Sequence, residues 1–222
     1  MGFQRARSAE QRQQRREAIL AAAEAMLGEM DVAAVTLSEL SRRVGLAKSN
    51  VLRYFESREE VLLEVLMRAA GEWIVEFESE CRADVPAGGP SAARVDAVAD
   101  VFARVAAARP ELLDLLSAQA GVLERNVSTD AIVRFKRSAL VAIDAMAAVL
   151  TRALPELGDR ARETCSLLLT LAGALYVQAE QSRGCESAYL VDPTLAVFRV
   201  DLIPALRESV AVVLAGVLAR GD

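Results

Sequence analysis

Histidine is absent from the 222 residues. Without an imidazole, no Ser-His-Asp or Cys-His arrangement can be assembled. Zinc fingers and His-ligated di-iron bundles are excluded by residue type. Cysteine occurs only as Cys81, Cys165 and Cys185, with no Cys-x-x-Cys pair. An odd count without metal-ligand spacing fits reduced thiols, so a cytoplasmic location is expected, with no metal and no cofactor. Glycine-rich phosphate loops are also missing, and Gly88-Gly89-Pro90 within DVPAGGP is a linker. The carboxylates are scattered at solvated helical positions, and nothing points to a catalytic pair. No catalytic residue is assigned and the chain is not expected to be an enzyme. No stretch of about 18 uncharged apolar residues occurs, so no membrane span is expected. The N-terminus lacks a signal-peptide pattern, because Glu17 and Glu24 break the run after Arg16.

What remains is rich in helix formers. Apolar residues make up 53% of the chain and aromatics 5%, with Ala, Leu, Arg and Glu abundant. All six prolines follow residue 85, leaving the first third free for uninterrupted helices. An all-α chain of about nine helices is expected. The net charge of −5 is unevenly spread. Residues 1–55 hold nine Lys or Arg against six Asp or Glu, a surplus of +3, and the rest carries −8. A basic end on an acidic body suits a protein that touches nucleic acid with one part only.

Within that basic end, Thr36 to Phe55, TLSELSRRVGLAKSNVLRYF, carries the most information. Thr36 and Glu39 have the spacing of a capping box. Leu37, Leu40 and Val44 share one helical face, with Ser41 keeping it narrow, and Gly45 can stop the helix in the left-handed conformation. Lys48 to Phe55 forms a second helix, with Val51 and Phe55 inward and Lys48, Ser49, Asn50, Leu52 and Arg53 on the flanks and outer side. Arg and Lys pair with guanine edges or phosphates, and Asn pairs with adenine. The stretch therefore reads as a helix-turn-helix whose second helix lies in a major groove. Ser38, Lys48, Ser49, Asn50 and Arg53 are placed to reach bases. Thr36, Tyr54 and Arg58 are placed to hold phosphates.

These residues resemble the TetR family of transcriptional repressors. The resemblance rests on Thr36, Gly45, Leu46, Ala47, Tyr54, Phe55, Ser57, Arg58, Glu59 and Glu60, and spans about residues 12 to 66. Leu52 stands where the family usually has a tyrosine that touches the DNA backbone, and Arg58 replaces a lysine. The resemblance implies a three-helix DNA-binding domain, assigned to residues 12–72, and a helical regulatory and dimerisation domain, assigned to residues 73–222. It implies a homodimer on a near-palindromic double-stranded operator, released by a small-molecule effector, and a fourth helix that moves when ligand binds.

The remaining chain is read in order. Residues 1–7 are expected to be disordered, and Arg5, Arg7, Arg12, Arg15 and Arg16 to form a basic arm. Ser8 should cap a helix reaching about Met30. A long helix should run from Ser57 to about Cys81, and another from Ser91 to about Ala108. Arg109-Pro110 should break before a short helix, ELLDLLSAQA, and Gly121–Thr129 should be a polar break. A helix should then end before Pro155, another should run from Asp159 to about Arg183, and Gly184–Pro193 should be a loop. The last helix should run from about Thr194 to Ala219. The two final long helices, CSLLLTLAGALYVQA and ALRESVAVVLAGVLA, are more broadly apolar than one buried stripe requires, with Gly173, Ala174 and Gly216 allowing close approach. They are assigned to the dimer interface. The resemblance places Trp73, Phe77, Phe102 and Phe135 on helices that surround an effector cavity, with Gln119 and Asn126 as candidate polar groups, and few buried-looking charges suggest an apolar or amphipathic effector. The alternatives to a regulator are a helical enzyme, or a protein-binding scaffold, that keeps a degenerate DNA-binding head.

Overall fold

The computed structural model describes the backbone of residues 2–220 and the side chains of residues 9–220. Those residues form ten α-helices and no strand. The helices are α1 (Gly2–Leu27), α2 (Leu37–Val44), α3 (Lys48–Val51), α4 (Arg58–Asp84), α5 (Ser91–Ala107), α6 (Pro110–Ala118), α7 (Thr129–Ala153), α8 (Ala161–Gly184), α9 (Glu186–Val191) and α10 (Leu202–Ala219).

The head consists of α1 to α3 resting on the first turns of α4. Ile19, Leu20, Ala23 and Met26 of α1 pack into one core with Leu40, Val51 and Phe55, all of them at most 1% exposed. Burying each large apolar side chain contributes roughly 1.5–3 kcal/mol, so this small head depends on the wall that α4 supplies with Val61, Leu62 and Leu66. Ser57 caps α4 by accepting from the Glu60 N–H at 3.1 Å, and Glu59 and Glu60 sit in its first turn where the helix dipole favours negative charge.

The body begins as α4 continues, unbroken, past the head to pack on α5 and α7. Pro110 opens α6 at its first position, where its missing N–H costs nothing. Helix α6 then lies on α8, and α10 lies against α5 and α8. Gly173 permits the α6–α8 approach. A Cβ at that position would meet the Ser117 nitrogen at 3.0 Å and the Leu116 carbonyl carbon at 3.2 Å. Gly216 has nothing comparable near it within the chain.

Several boundaries differ from the sequence expectations. Helix α1 starts at Gly2 and ends at Leu27, so residues 2–7, expected to lack structure, are helical and Ser8 lies inside the helix. The side chains of Arg5 and Arg7 lie outside the described residues. The polar break after α6 is a π-turn, Gln119–Leu123, followed by a 3-10 turn, Glu124–Asn126, with Leu123 fully buried beneath. Helix α8 begins at Ala161 after a 3-10 turn over Pro155–Arg160, so Asp159 is not its cap. The expected loop after Gly184 contains α9, and Pro204 falls in the first turn of α10, which starts at Leu202. Helix α10 is long and apolar enough to cross a membrane by length and composition, with a mean hydropathy of 1.8, although Arg207 and Glu208 interrupt it. Its Leu206, Val210 and Leu214 are seated in the core, while only 17% of its residues are buried.

All three cysteines are free thiols. Burial pushes the Cys81 and Cys165 thiols up to about 12, which leaves them unreactive at neutral pH.

Candidate nucleic-acid interface

The turn between α2 and α3 follows from two local choices. Thr36 Oγ1 accepts from the Glu39 N–H at 3.2 Å, which sets the start of α2. Gly45, at φ 69° and ψ 31°, ends it in the left-handed region, and the Leu46 N–H returns to the Ser41 carbonyl at 3.0 Å. The capping box is only half made. The Glu39 carboxylate turns away to Arg42 (2.9 Å) and Arg43 (3.2 Å), whose hydrogen bonds hold its pKa down at about 2. Arg43 also grips Glu29 at 2.6 Å, tying α2 to the end of α1.

Helix α3 is shorter than expected. It spans Lys48–Val51 and continues as a hydrogen-bonded turn, with the Tyr54 and Phe55 N–H groups returning to the Val51 carbonyl at 2.9 and 3.2 Å. Val51 and Phe55 are inward and buried, which turns Lys48, Ser49, Asn50 and Arg53 outward into solvent. Among described residues, none of these four outward side chains makes a hydrogen bond or ion pair within the chain. Thr36 and Ser38 are exposed at the start of α2, and Tyr54 is half-buried. Leu52 is 45% exposed on the same surface.

Arg58 is placed differently from the expectation. Its guanidinium donates to the carbonyls of Val32 and Val35 and pairs with Glu59 at 3.1 Å. It therefore ties the 3-10 turn Val32–Ala34 to α4, with all three of its nitrogens engaged inside the chain. Arg16, expected in a free basic arm, is likewise drawn in. Its guanidinium lies 4.1 Å from the Phe55 ring centroid, donates to the Tyr54 carbonyl and pairs with Glu64. Both partners are distant in sequence, so no local signal marked them.

Polar contacts join this head to the body. The Val32 N–H donates to Asp114 of α6 at 2.6 Å, the Ser128 N–H donates to Glu56 at 2.5 Å, and Arg134 of α7 pairs with Glu60 at 2.7 Å. Burial raises the Asp114 pKa above its ordinary value, against the Val32 hydrogen bond that opposes it.

Beyond them the body holds a half-open cavity of about 760 Å³. Its walls come from four helices and include Met67, Trp73, Leu116, Phe135, Met146 and Leu169. That volume lies within the roughly 300–1,000 Å³ common for small-molecule sites. Of the expected cavity residues, Trp73, Gln119 and Phe135 line it. Phe77 and Phe102 do not. They are fully buried behind Trp73, with Phe77 stacked on it at 5.2 Å and Phe102 edge-on at 5.3 Å, so they are core. Asn126 is exposed outside the cavity, its amide donating to the Val122 carbonyl at 3.1 Å. Lys136, Thr170 and Gln178 line the cavity and were not anticipated, because a helical period does not show which side of a bundle helix faces a void.

The chain matches two family models in succession. Residues 19–65 match the bacterial regulatory proteins of the tetR family, and residues 67–221 match the tetracyclin repressor-like C-terminal domain. No curated protein matches. Among solved structures, a TetR transcriptional regulator from Rhodococcus sp. RHA1 superposes with a TM-score of 0.58 at 17% identity, covering 95% of this chain and 97% of that one. A chain assigned to the TetR family from Mesorhizobium loti gives 0.52 at 17% identity, covering 94% and 97%. A second transcriptional regulator from Rhodococcus sp. Rha1 gives 0.52 at 15% identity, covering 92% and 96%. At these identities the likeness extends to the fold.

Proposed function

Because this chain belongs to the TetR family of transcriptional regulators, we propose that it is a cytoplasmic, homodimeric repressor released from a near-palindromic operator by a small apolar or amphipathic effector. The observation that carries this is the outward face of α3, where Lys48, Ser49, Asn50 and Arg53 stand in solvent with no partner inside the chain, on a backbone fixed by Val51 and Phe55. These four, with Ser38, are the proposed base-reaching residues, and Thr36 and Tyr54 the phosphate contacts. Arg58 is left out of that set because its guanidinium is already engaged.

The proposed division is a DNA-binding head over residues 12–72 and a regulatory body over residues 73–222. Helix α4 crosses it without a break, so a shift in the body is transmitted as a rigid displacement of the head. The dimer is proposed to form through α8 and α10. Helix α10 supports this with its apolar composition and few buried residues. Two copies related by a twofold axis place two α3 helices about one duplex turn apart or somewhat more. Effector in the body favours a spacing of the heads that no longer matches the grooves, a coupling that typically amounts to about 1–3 kcal/mol.

Selection of bound duplexes from random DNA, with the mass of the free protein and of the complex measured in solution, tests the proposal. A palindromic consensus bound by two chains is the expected result. A monomer with no sequence preference at moderate salt overturns it.

A further inference from the structure

Two donors of the cavity wall converge on a single oxygen. Gln119, the first residue of the π-turn, donates its Nε2 to Glu124 Oε1 at 2.8 Å, and Lys136 of α7 donates its Nζ to the same atom at 2.6 Å. Gln119 and Lys136 line the cavity, whereas Glu124 does not. The Lys136 ammonium also stands 5.3 Å from the ring centroid of Phe135, another cavity residue. Glu124 is well covered, with its side chain 18% exposed. Burial alone would push its carboxyl up, but the hydrogen bonds from Lys136 and Gln119 outweigh that and hold it below its ordinary value. Ammonium and amide N–H are donors, so a second carboxylate that displaces Glu124 finds the same two hydrogen bonds. The rest of the wall is largely aliphatic and aromatic.

We propose that the effector is a monocarboxylic acid with an apolar chain, and that Glu124 holds the position its carboxylate takes between Gln119 and Lys136. The proposal rests on the reading of the cavity as the effector site. The apolar chain fills the space between α4, α6, α7 and α8, and the acid replaces Glu124 on the two donors. Glu124 sits where a π-turn passes into a 3-10 turn, a kind of irregular backbone that often marks functional sites. Its release loosens the link between the end of α6 and α7. Helix α6 also carries Asp114, which holds the Val32 N–H of the head, so the exchange has a direct route to the DNA-binding residues.

Trp73 is the only tryptophan in the chain and lines the cavity, so its emission reports occupancy in the intact protein. Decanoate and decanol are titrated against the wild type, Glu124→Gln, and the double variant Glu124→Gln with Lys136→Met, at neutral pH. The two probes share a chain and differ in charge. In the wild type Glu124 competes, and decanoate is favoured only slightly. Glu124→Gln widens the preference for decanoate by about tenfold, the usual worth of a charge-assisted hydrogen bond. Adding Lys136→Met collapses that preference, and a circular-dichroism spectrum and thermal midpoint like the wild type's show that the variant is folded. Equal binding of the two probes to Glu124→Gln overturns the acid assignment while leaving the cavity as a site for neutral apolar molecules. If neither probe changes Trp73 emission in any of the three proteins, the effector site itself lies elsewhere.

Discussion

The uncovered outer faces of α3 and α10 differ in chemistry. The outer side of α3 presents Lys48, Ser49, Asn50 and Arg53, polar side chains whose exposure involves no hydrophobic cost. The outer side of α10, opposite the buried Leu206, Val210 and Leu214, presents Val212 at 61% exposure with the exposed Ala215, Gly216 and Ala219, and Leu167 of α8 is 46% exposed. Single exposed aliphatics are ordinary, but contiguous apolar surface on a long helix calls for a cover. The polar face suits a charged, hydrated partner that it can leave, and the apolar face suits a partner that stays. The proposed repressor would need this pairing, with a permanent contact to set the spacing of two heads and a reversible one to read DNA.

The sharpest way to break that comparison is to charge the apolar face. Val212→Glu places a carboxylate in the proposed interface, where an unpaired buried charge is destabilising by about 3–5 kcal/mol. The expected outcome is a monomer by sedimentation with an unchanged helical circular-dichroism spectrum and operator binding reduced with it. A Val212→Glu protein that remains dimeric at low concentration shows that this part of α10 faces solvent, and the dimer must then be sought elsewhere.

The polar face is tested by Arg53→Ala. Loss of a base contact should weaken operator binding by about 1–3 kcal/mol and relax preference at one position of each half-site. The dimer and the thermal midpoint should not move, because Arg53 is exposed and unpaired within the chain. Equal weakening on all sequences would instead make Arg53 a phosphate contact. An unchanged affinity would remove it from the interface.

How far the sequence could carry these inferences depended on how local each cause is. The Thr36 cap, the left-handed Gly45 and the inward Val51 and Phe55 are decided within a few residues, and all were readable from spacing. The fate of the arginines was not. Arg58 reaches carbonyls 23 and 26 residues away, and Arg16 reaches Tyr54 and Glu64 from another helix. A guanidinium looks the same in sequence whether it meets a phosphate or a turn carbonyl. The body shows the same limit. Phe77, Phe102 and Phe135 share a residue type, yet packing sends two into the core and one to the cavity wall. Helix α9 escaped notice because six residues are too few for a helical period to stand out.

The smallest expected effect concerns Leu52, the one outward position on the α3 turn that departs from the resembled pattern. It is 45% exposed, so a tyrosine there has room for its ring without disturbing Val51 or Phe55. If α3 docks in the groove as proposed, Leu52→Tyr adds a hydroxyl at a position where the resemblance places a DNA-backbone contact. One net hydrogen bond typically contributes about 0.5–1.5 kcal/mol, so operator affinity should tighten by roughly two- to tenfold. The gain should be the same on every sequence, because a backbone contact carries no base information. Measured against Arg53→Ala, the pair separates two kinds of contact on one short helix, with sequence preference lost in the first and affinity alone raised in the second. A Leu52→Tyr protein that binds no tighter on any duplex would mean that the turn after Val51 stands away from the backbone, and that α3 enters the groove at a different tilt from the one the resemblance implies.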